Sequence, residues 1–263
     1  MRVTILIVSI VALSFALAVF VAGPGTRLGI WKYTTGLGLI FLPAKPLVPS
    51  VALSGPIYIA AIASALASIA ALLAARGMIP LSFIATASVI IAAMVPFKMN
   101  EAIKANPFIH DITTDFARPP QILAAAGLPR SNPASYDGGE LVERTNEKVT
   151  VAEAQQAAFP DIGPLYLTME IDDAVAVARA AIVDMKMGIL AEEPVGEGSV
   201  GDRHIEAVYT SRGFGFKDDF IVRLSSSEDE GVRVDVRSKS RVGKSDLGNN
   251  AARVREFLGR MKP

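Results

Sequence analysis

No acidic residue precedes Glu101 in this chain of 263 residues, and three long apolar stretches fill the space before it. They cover Val3–Gly23 (VTILIVSIVALSFALAVFVAG), Ile57–Ala75 (IYIAAIASALASIAALLAA) and Ile79–Phe97 (IPLSFIATASVIIAAMVPF). Each approaches the roughly 20 residues with which a helix crosses about 30 Å of hydrocarbon. Pro24, Pro56, Gly77, Pro80 and Pro96 punctuate their ends. Arg2 ahead of an apolar run also suits a cleaved signal peptide. The length of that run and the two spans after it favour an anchor. Residues 1–97 are therefore expected to form a membrane domain of three transmembrane helices.

The second stretch is rich in small residues: Ala60, Ala61, Ala63, Ser64, Ala65, Ala67 and Ser68. Such a surface lets helix backbones approach closely, within its own bundle or against another subunit. Between the first two stretches, Trp31 and Tyr33 stand beside Arg27 and Lys32, the composition of an interfacial belt. Leu37–Leu42 is apolar but too short to cross, and reads as an interfacial or re-entrant piece.

Charge separates the halves. Residues 1–96 carry only Arg2, Arg27, Lys32, Lys45 and Arg76, which leaves 21 basic against 26 acidic residues for the remainder. The composition is 51% hydrophobic, with a mean hydropathy of +0.39. Two such halves imply two environments, lipid and water. A net acidic second half argues against nucleic-acid binding. The absence of cysteine excludes disulfides, thiolate nucleophiles and Cys-ligated zinc. Three spans put Arg2 and Arg76 on one side, and Arg27, Lys32, Lys45, Lys98 and Lys104 on the other. By the positive-inside rule the C-terminal domain would be cytoplasmic.

Residues 98–149 are rich in Pro, Gly, Ser and Asn and read as an extended linker. Regular structure is expected over 150–263. Thr150 with Glu153 makes a capping-box pattern, and LYLTMEI reads as a short strand. Ile171, Val175, Ala178, Ile182 and Met185 repeat at helical spacing. Asp172 and Asp173 in the first turn and Lys186 in the last would complement the helix dipole. Strands are expected at Gly188–Glu193, His204–Thr210, Phe214–Leu224 and Val232–Val242. A final helix carries Val254, Phe257, Leu258 and Met261 on one face. The order β-α-β-β-β-β-α with short turns predicts an α+β domain, an antiparallel sheet with helices on one face.

Alternation in the last strand sends Val232, Val234, Val236, Ser238 and Ser240 one way. Arg233, Asp235, Arg237, Lys239 and Arg241 point the other way. In the strand before it, Asp218 shares a face with Phe214, Phe216 and Phe220. A buried carboxylate needs a donor, and Arg237, Arg241, Ser238 and Ser240 are the candidates. In GKSDLGNN, Ser245, Asp246 and Asn249 are good helix N-caps. This polar stretch thus reads first as a charged strand face leading into a capped helix. Two functional readings stand beside it. One is an anion site built from the helix N-terminus with Arg241 and Lys244. The other is a Ser238–Lys239 pair, opposed because strand neighbours point to opposite faces. Upstream, His110, Asp111 and Asp115 in IHDITTD are the residue types of acid/base or metal chemistry. Their spacing fits no standard metal motif. GEGSVG is only loosely a glycine-rich loop, and nothing in the chain calls for a cofactor.

FKDDFIVRL, VDVRSKSRVGKSDLGNNAARVREFL and NPFIHDITTDFARPP together resemble the bacterial and plastid family called domain of unknown function 1499. The family pattern, a DD pair and then R-S-x-S-R-x-G-x-S-D-x-G-x-N, is matched residue by residue. The matching positions are Asp218, Asp219, Arg237, Ser238, Ser240, Arg241, Gly243, Ser245, Asp246, Gly248 and Asn250. The resemblance covers about residues 106–262. It implies a domain boundary but no reaction, and exported or lumenal relatives imply a periplasmic domain, against the basic-residue count. Relatives often carry a cysteine ahead of the domain, so any redox or lipid-attachment role of that cysteine does not transfer here.

The function expected is a bacterial inner-membrane module that binds a membrane-protein partner, an envelope partner or an apolar ligand such as lipid, without catalysis. The alternative is a hydrolase using the His110/Asp111 loop and the Arg241–Asp246 corner. An enzyme needs His110 and residues 237–250 to converge on an open pocket. A scaffold would bury them as paired hydrogen bonds.

Overall fold

The computed structural model describes residues 1–136, 138–143, 148–194, 202–227 and 231–262. The GEGSVG segment lies outside the described residues, as do Glu228–Glu230 of the expected SSSEDEG turn. The chain forms two compact units: Met1–Glu101 with Arg212–Gly215, and Ala102–Ser211 with Phe216–Pro263.

The first unit contains α1 (Arg2–Arg27), α2 (Tyr33–Phe41), α3 (Pro56–Ala74), a 3-10 turn at Arg76–Met78, and most of α4 (Ile79–Ala105). Among the described residues, three helices are long and apolar enough to cross a membrane: α1, α3 and the run through α4. Ile5, Ser9, Ala12, Ala16, Val19 and Ala22 are the buried stripe of α1. On α3 the stripe is Ile57, Ala60, Ser64, Ala67, Ser68 and Ala71. These small side chains make the close α1–α3 packing possible. The α3–α4 pair is joined by hydroxyls, with Thr86 Oγ1 2.8 Å from Ser64 Oγ and 2.9 Å from Ser68 Oγ. Leu6, Ile7, Leu17, Ile62, Leu66, Ile84 and Ile91 point outward, as a lipid-facing surface requires.

Two helix ends differ from expectation. Pro24 and Pro96 lie inside α1 and α4 and do not end them. A proline removes one intrahelical bond, but neighbouring helices and hydroxyl side chains tolerate this in apolar bundles. Past Pro96 the sequence KMNEAIKA holds good helix formers, which carry α4 to Ala105.

The second unit is α+β. Its elements are β1 (Asp111–Thr113), α5 (Val151–Ala158), β2 (Leu165–Leu167), α6 (Ile171–Asp184), β3 (Gly188–Pro194), β4 (Arg203–Thr210), β5 (Lys217–Ser227), β6 (Gly231–Ser240) and α7 (Asn249–Met261). The six strands make one antiparallel sheet in the order β1-β6-β5-β4-β3, with β2 also pairing β6. Thr150 and Glu153 form the reciprocal capping box that starts α5. One sheet face carries the apolar core: Ile205, Phe220, Val222, Leu224, Val232, Val234 and Val236 meet Ala174, Ala178 and Ile182 of α6 and Val254, Phe257 and Met261 of α7. Phe220 and Phe257 stack edge to face at 5.2 Å, the arrangement that ring quadrupoles favour.

Residues 98–149 are not uniformly irregular. They begin as the end of α4, contribute β1 to the sheet, and then cover the sheet face opposite α6 and α7. The centre of the IHDITTD stretch is thus an edge strand, Asp111–Thr113, with His110 just before it and Asp115 just after it. Asp111, Ile112 and Thr113 pair with Lys239, Ser238 and Arg237. Phe214 and Phe216 precede β5, because a turn with Gly215 at φ +71° is closed by the Ser211 N–H donating to Phe216 O. Lys186 lies beyond α6, not in its last turn. It takes φ +59°, and the Met187 and Lys186 N–H groups donate back to Ile182 O and Val183 O. This is a Schellman ending with lysine where glycine is usual.

Candidate functional site

The residues singled out from sequence gather on both faces of β6 and at the start of α7. On the core face, Asp218, Ser238 and Ser240 extend the apolar layer into a polar patch. Asp218 finds its donor in Arg253 of α7, with Arg253 Nη2 at 3.0 Å from Asp218 Oδ2. That differs from the four donors expected. Alternation in β6 sends Arg237 and Arg241 to the opposite face, and the two serines bond elsewhere. Ser238 Oγ donates to Asn250 Oδ1 at 2.7 Å, and Asn250 Nδ2 donates to Ser240 Oγ and His110 O, each at 3.1 Å. Arg253 also lies over the Tyr209 ring at 4.1 Å, a cation–π contact. Its helical spacing from Phe257 and its charge gave a signal that it could reach a face shared with Asp218.

The opposite face is a layer of buried ion pairs. Arg237 is 1% exposed. Its Nε and Nη2 donate to the two oxygens of Asp111 at 2.9 and 2.8 Å, and its remaining donors reach Pro120 O and Ala134 O. Lys239 Nζ lies 3.0 Å from Asp111 Oδ2 and donates to Ser135 O at 2.8 Å. Burial pushes the Lys239 ammonium below its usual range, and Asp111 only partly opposes it. Arg241 Nε donates to Asp219 Oδ1 at 2.8 Å. Its Nη2 stands 2.7 Å from the same oxygen, at an angle that makes an ion pair and not a directed hydrogen bond. Arg130 holds the other oxygen of Asp219 at 2.8 Å.

Farther along the same face, Arg223 and Arg233 each bridge Asp115 and Asp235. Burial works to raise the Asp115 carboxyl. The Arg118 N–H, Arg223 and Arg233 outweigh it and hold the group below the usual carboxylate range. On β4, Glu206 accepts the N–H groups of Leu123, Ala124 and Ala125 and pairs with His204. Burial pulls its carboxyl upward too, and again the hydrogen bonds prevail and lower it. Sequence reading passed over Arg130, Glu206, Arg223 and Arg253, since each acts on a partner far away in the chain.

His110 is buried beside Lys239 and Asp111. Burial, then the Lys239 charge, lowers the imidazole from its usual value, which favours the neutral ring. The cavity it shares with Phe108, Glu140, Val142, Val151 and Lys244 measures about 10 Å³, room for about one water molecule. Lys244 lies 3.6 Å from Glu140 and 3.4 Å from Glu143. Metal-holding groups of three or more His, Asp or Glu are absent among the described residues.

The turn into α7 explains the G-x-S-D-x-G spacing. Gly243 and Gly248 take φ +87° and +83°, a region that L side chains avoid. A Cβ on Gly248 would stand 2.3 Å from Asn106 Oδ1. The N-cap residue is Gly248 itself, not Asp246 or Asn249. Asp246 nevertheless serves the helix from two positions earlier, accepting the N–H of Gly248 at 3.0 Å and that of Asn250. Ser245 Oγ accepts the Leu247 N–H, and the Asn249 amide donates to Asp246 O. Asn132 ties the turn down by donating to Ser240 O and Gly243 O, each at 2.8 Å.

Asp246 is partly exposed as a residue, yet the protein packed about its carboxyl raises it from 3.8 to about 6. The folded state then binds a proton more tightly than the unfolded state. This contribution to stability is full below pH 3.8 and is lost as pH rises through about 6. Asp246→Asn should remove that fall, measured as the pH dependence of the unfolding midpoint against the native chain. Asp246→Ala, which deletes the acceptor, should cost about 0.5–2 kcal/mol.

No curated protein matches this chain. A solved chain, the vertebrate conserved region (VCR) of human METTL16, is similar at 12% identity over 41% of this chain and 84% of its own, with a TM-score of 0.26. That likeness is too low to bear on fold or function. The family described as protein of unknown function (DUF1499) has a model that matches residues 111–261. The match starts at the first residue of β1 and ends at the last of α7, so it spans the whole sheet and its covering segment, and this chain belongs to that family.

Proposed function

We propose that the protein is a non-enzymatic module of the bacterial inner membrane that binds an apolar ligand or a membrane or envelope partner. One observation carries this reading. The side chains that could do chemistry are already engaged inside the fold: Asp111 by Arg237 and Lys239, Asp115 by Arg223 and Arg233, Asp219 by Arg130 and Arg241. His110 meets residues of the 237–250 stretch, but around a cavity of water size. The hydrolase alternative needs a substrate to reach that point.

Two experiments test the reading. Full-length protein, extracted in mild detergent, should show no ester or phosphoester turnover that disappears in His110→Ala. Turnover lost in that variant, with its circular dichroism unchanged, would replace the binding module with the hydrolase. We further propose that the family domain is periplasmic, on the strength of the exported relatives that the resemblance implies. A C-terminal alkaline phosphatase fusion should then be active. Fluorescence from a cytoplasm-only reporter at the same position would reverse the orientation, as the basic-residue count expects.

A further inference from the structure

The first unit has an open groove of about 420 Å³ lined by Leu37, Gly38, Phe41, Leu42, Ala44, Lys45, Pro46 and Asn100. The volume falls within the range of roughly 300–1,000 Å³ typical of small-ligand sites. Its walls are the last turns of α2, the chain that follows, and α4 near its C-terminal end. Asn100 is 21 residues beyond Ile79, about 32 Å along a helix, which is about the hydrocarbon thickness. The groove therefore opens where acyl chains give way to headgroups.

Cations outnumber carboxylates at the rim. Lys45 is exposed at the groove, and Lys98 and Lys104 are exposed on the end of α4 that carries Asn100. Residues 1–100 contain no carboxylate side chain, and Glu101, exposed next to Asn100, is the first in the chain. Leu42 is 71% exposed and Leu47 65%, so the chain after α2 presents apolar side chains beside the cation. An apolar trough with a cation and an amide at its mouth complements a molecule with a hydrocarbon body and an anionic head. We propose that the groove seats one acyl chain of an anionic phospholipid, whose phosphate faces Lys45 and Asn100. This names the apolar ligand of the binding module proposed above and rests on that reading.

Gly38 supplies the means of testing it. A Cβ there would meet only Leu42 Cδ1, at 3.8 Å, so a larger side chain grows into the groove. Leucine in place of glycine also favours the α2 helix. Full-length native protein, Gly38→Leu and Lys45→Gln, in detergent micelles, would be titrated with dioleoylphosphatidylglycerol or dioleoylphosphatidylcholine and followed by native mass spectrometry. The native chain should bind its first phosphatidylglycerol at least about tenfold more tightly than phosphatidylcholine, a difference of about 1.4 kcal/mol. Lys45→Gln should bring the two lipids level, and Gly38→Leu should remove the tight equivalent of both. Equal binding of the two lipids by the native chain would overturn the assignment. So would a preference that survives both substitutions, since it would come from general surface charge. Failure here is distinguishable from failure of the binding module, which is decided by His110-dependent turnover.

Discussion

The second unit depends on a layer of charge that water cannot reach. Placing Arg237, Lys239, Arg241, Asp111, Asp219 and Asp235 under cover carries a desolvation cost of several kcal/mol per ion unless partners and further hydrogen bonds offset it. The fold meets this requirement with geometry. The β1 pairing puts Asp111 opposite Lys239 and beside Arg237. The segment after β1 then supplies Pro120, Ala134 and Ser135 carbonyls to the donors that remain. That segment has few apolar anchors, Ile122, Ala125 and Ala134 around Ile221, so polar recognition does much of its positioning.

This explains why two motifs far apart in sequence form one pattern. The upstream residues provide the strand, the carboxylate and the cover, and the R-S-x-S-R-x-G-x-S-D-x-G-x-N run provides the cations, the turn and the helix start. Glycines at 243 and 248 let the chain reverse at positive φ, and Asp246 and Asn250 close the corner. A substrate would have to displace these bonds to use the same groups. The first unit solves a different problem, with apolar side chains outward and small residues and hydroxyls inward.

Much of the fold was legible because it follows from local periodicity. Apolar runs of membrane length, strand alternation in β5 and β6, and the Thr150–Glu153 box each act over a few residues. The site was legible only in part. Three residues of β1 are too few to show alternation, and their pairing with β6 is a long-range choice. Alternation alone could have assigned Arg237 and Arg241 away from Asp218, and with that Arg253 becomes the natural donor. The groove beside Leu37–Leu42 was not legible, because its second wall comes from α4, some sixty residues later.

The central claim is that the charged face of β6 exists to hold the covering segment and β1 in place. Hydrogen exchange of the β6 amides in the full-length protein reads the local opening free energy. It would be compared across the native chain, Asp111→Ala, Arg237→Ala and the double variant. Each single change should lower protection by about 3–5 kcal/mol, since it strands a buried charge, and the double variant should lose far less than the sum. Losses that add to within about 0.5 kcal/mol would show that the two side chains are energetically independent, and the account would be wrong.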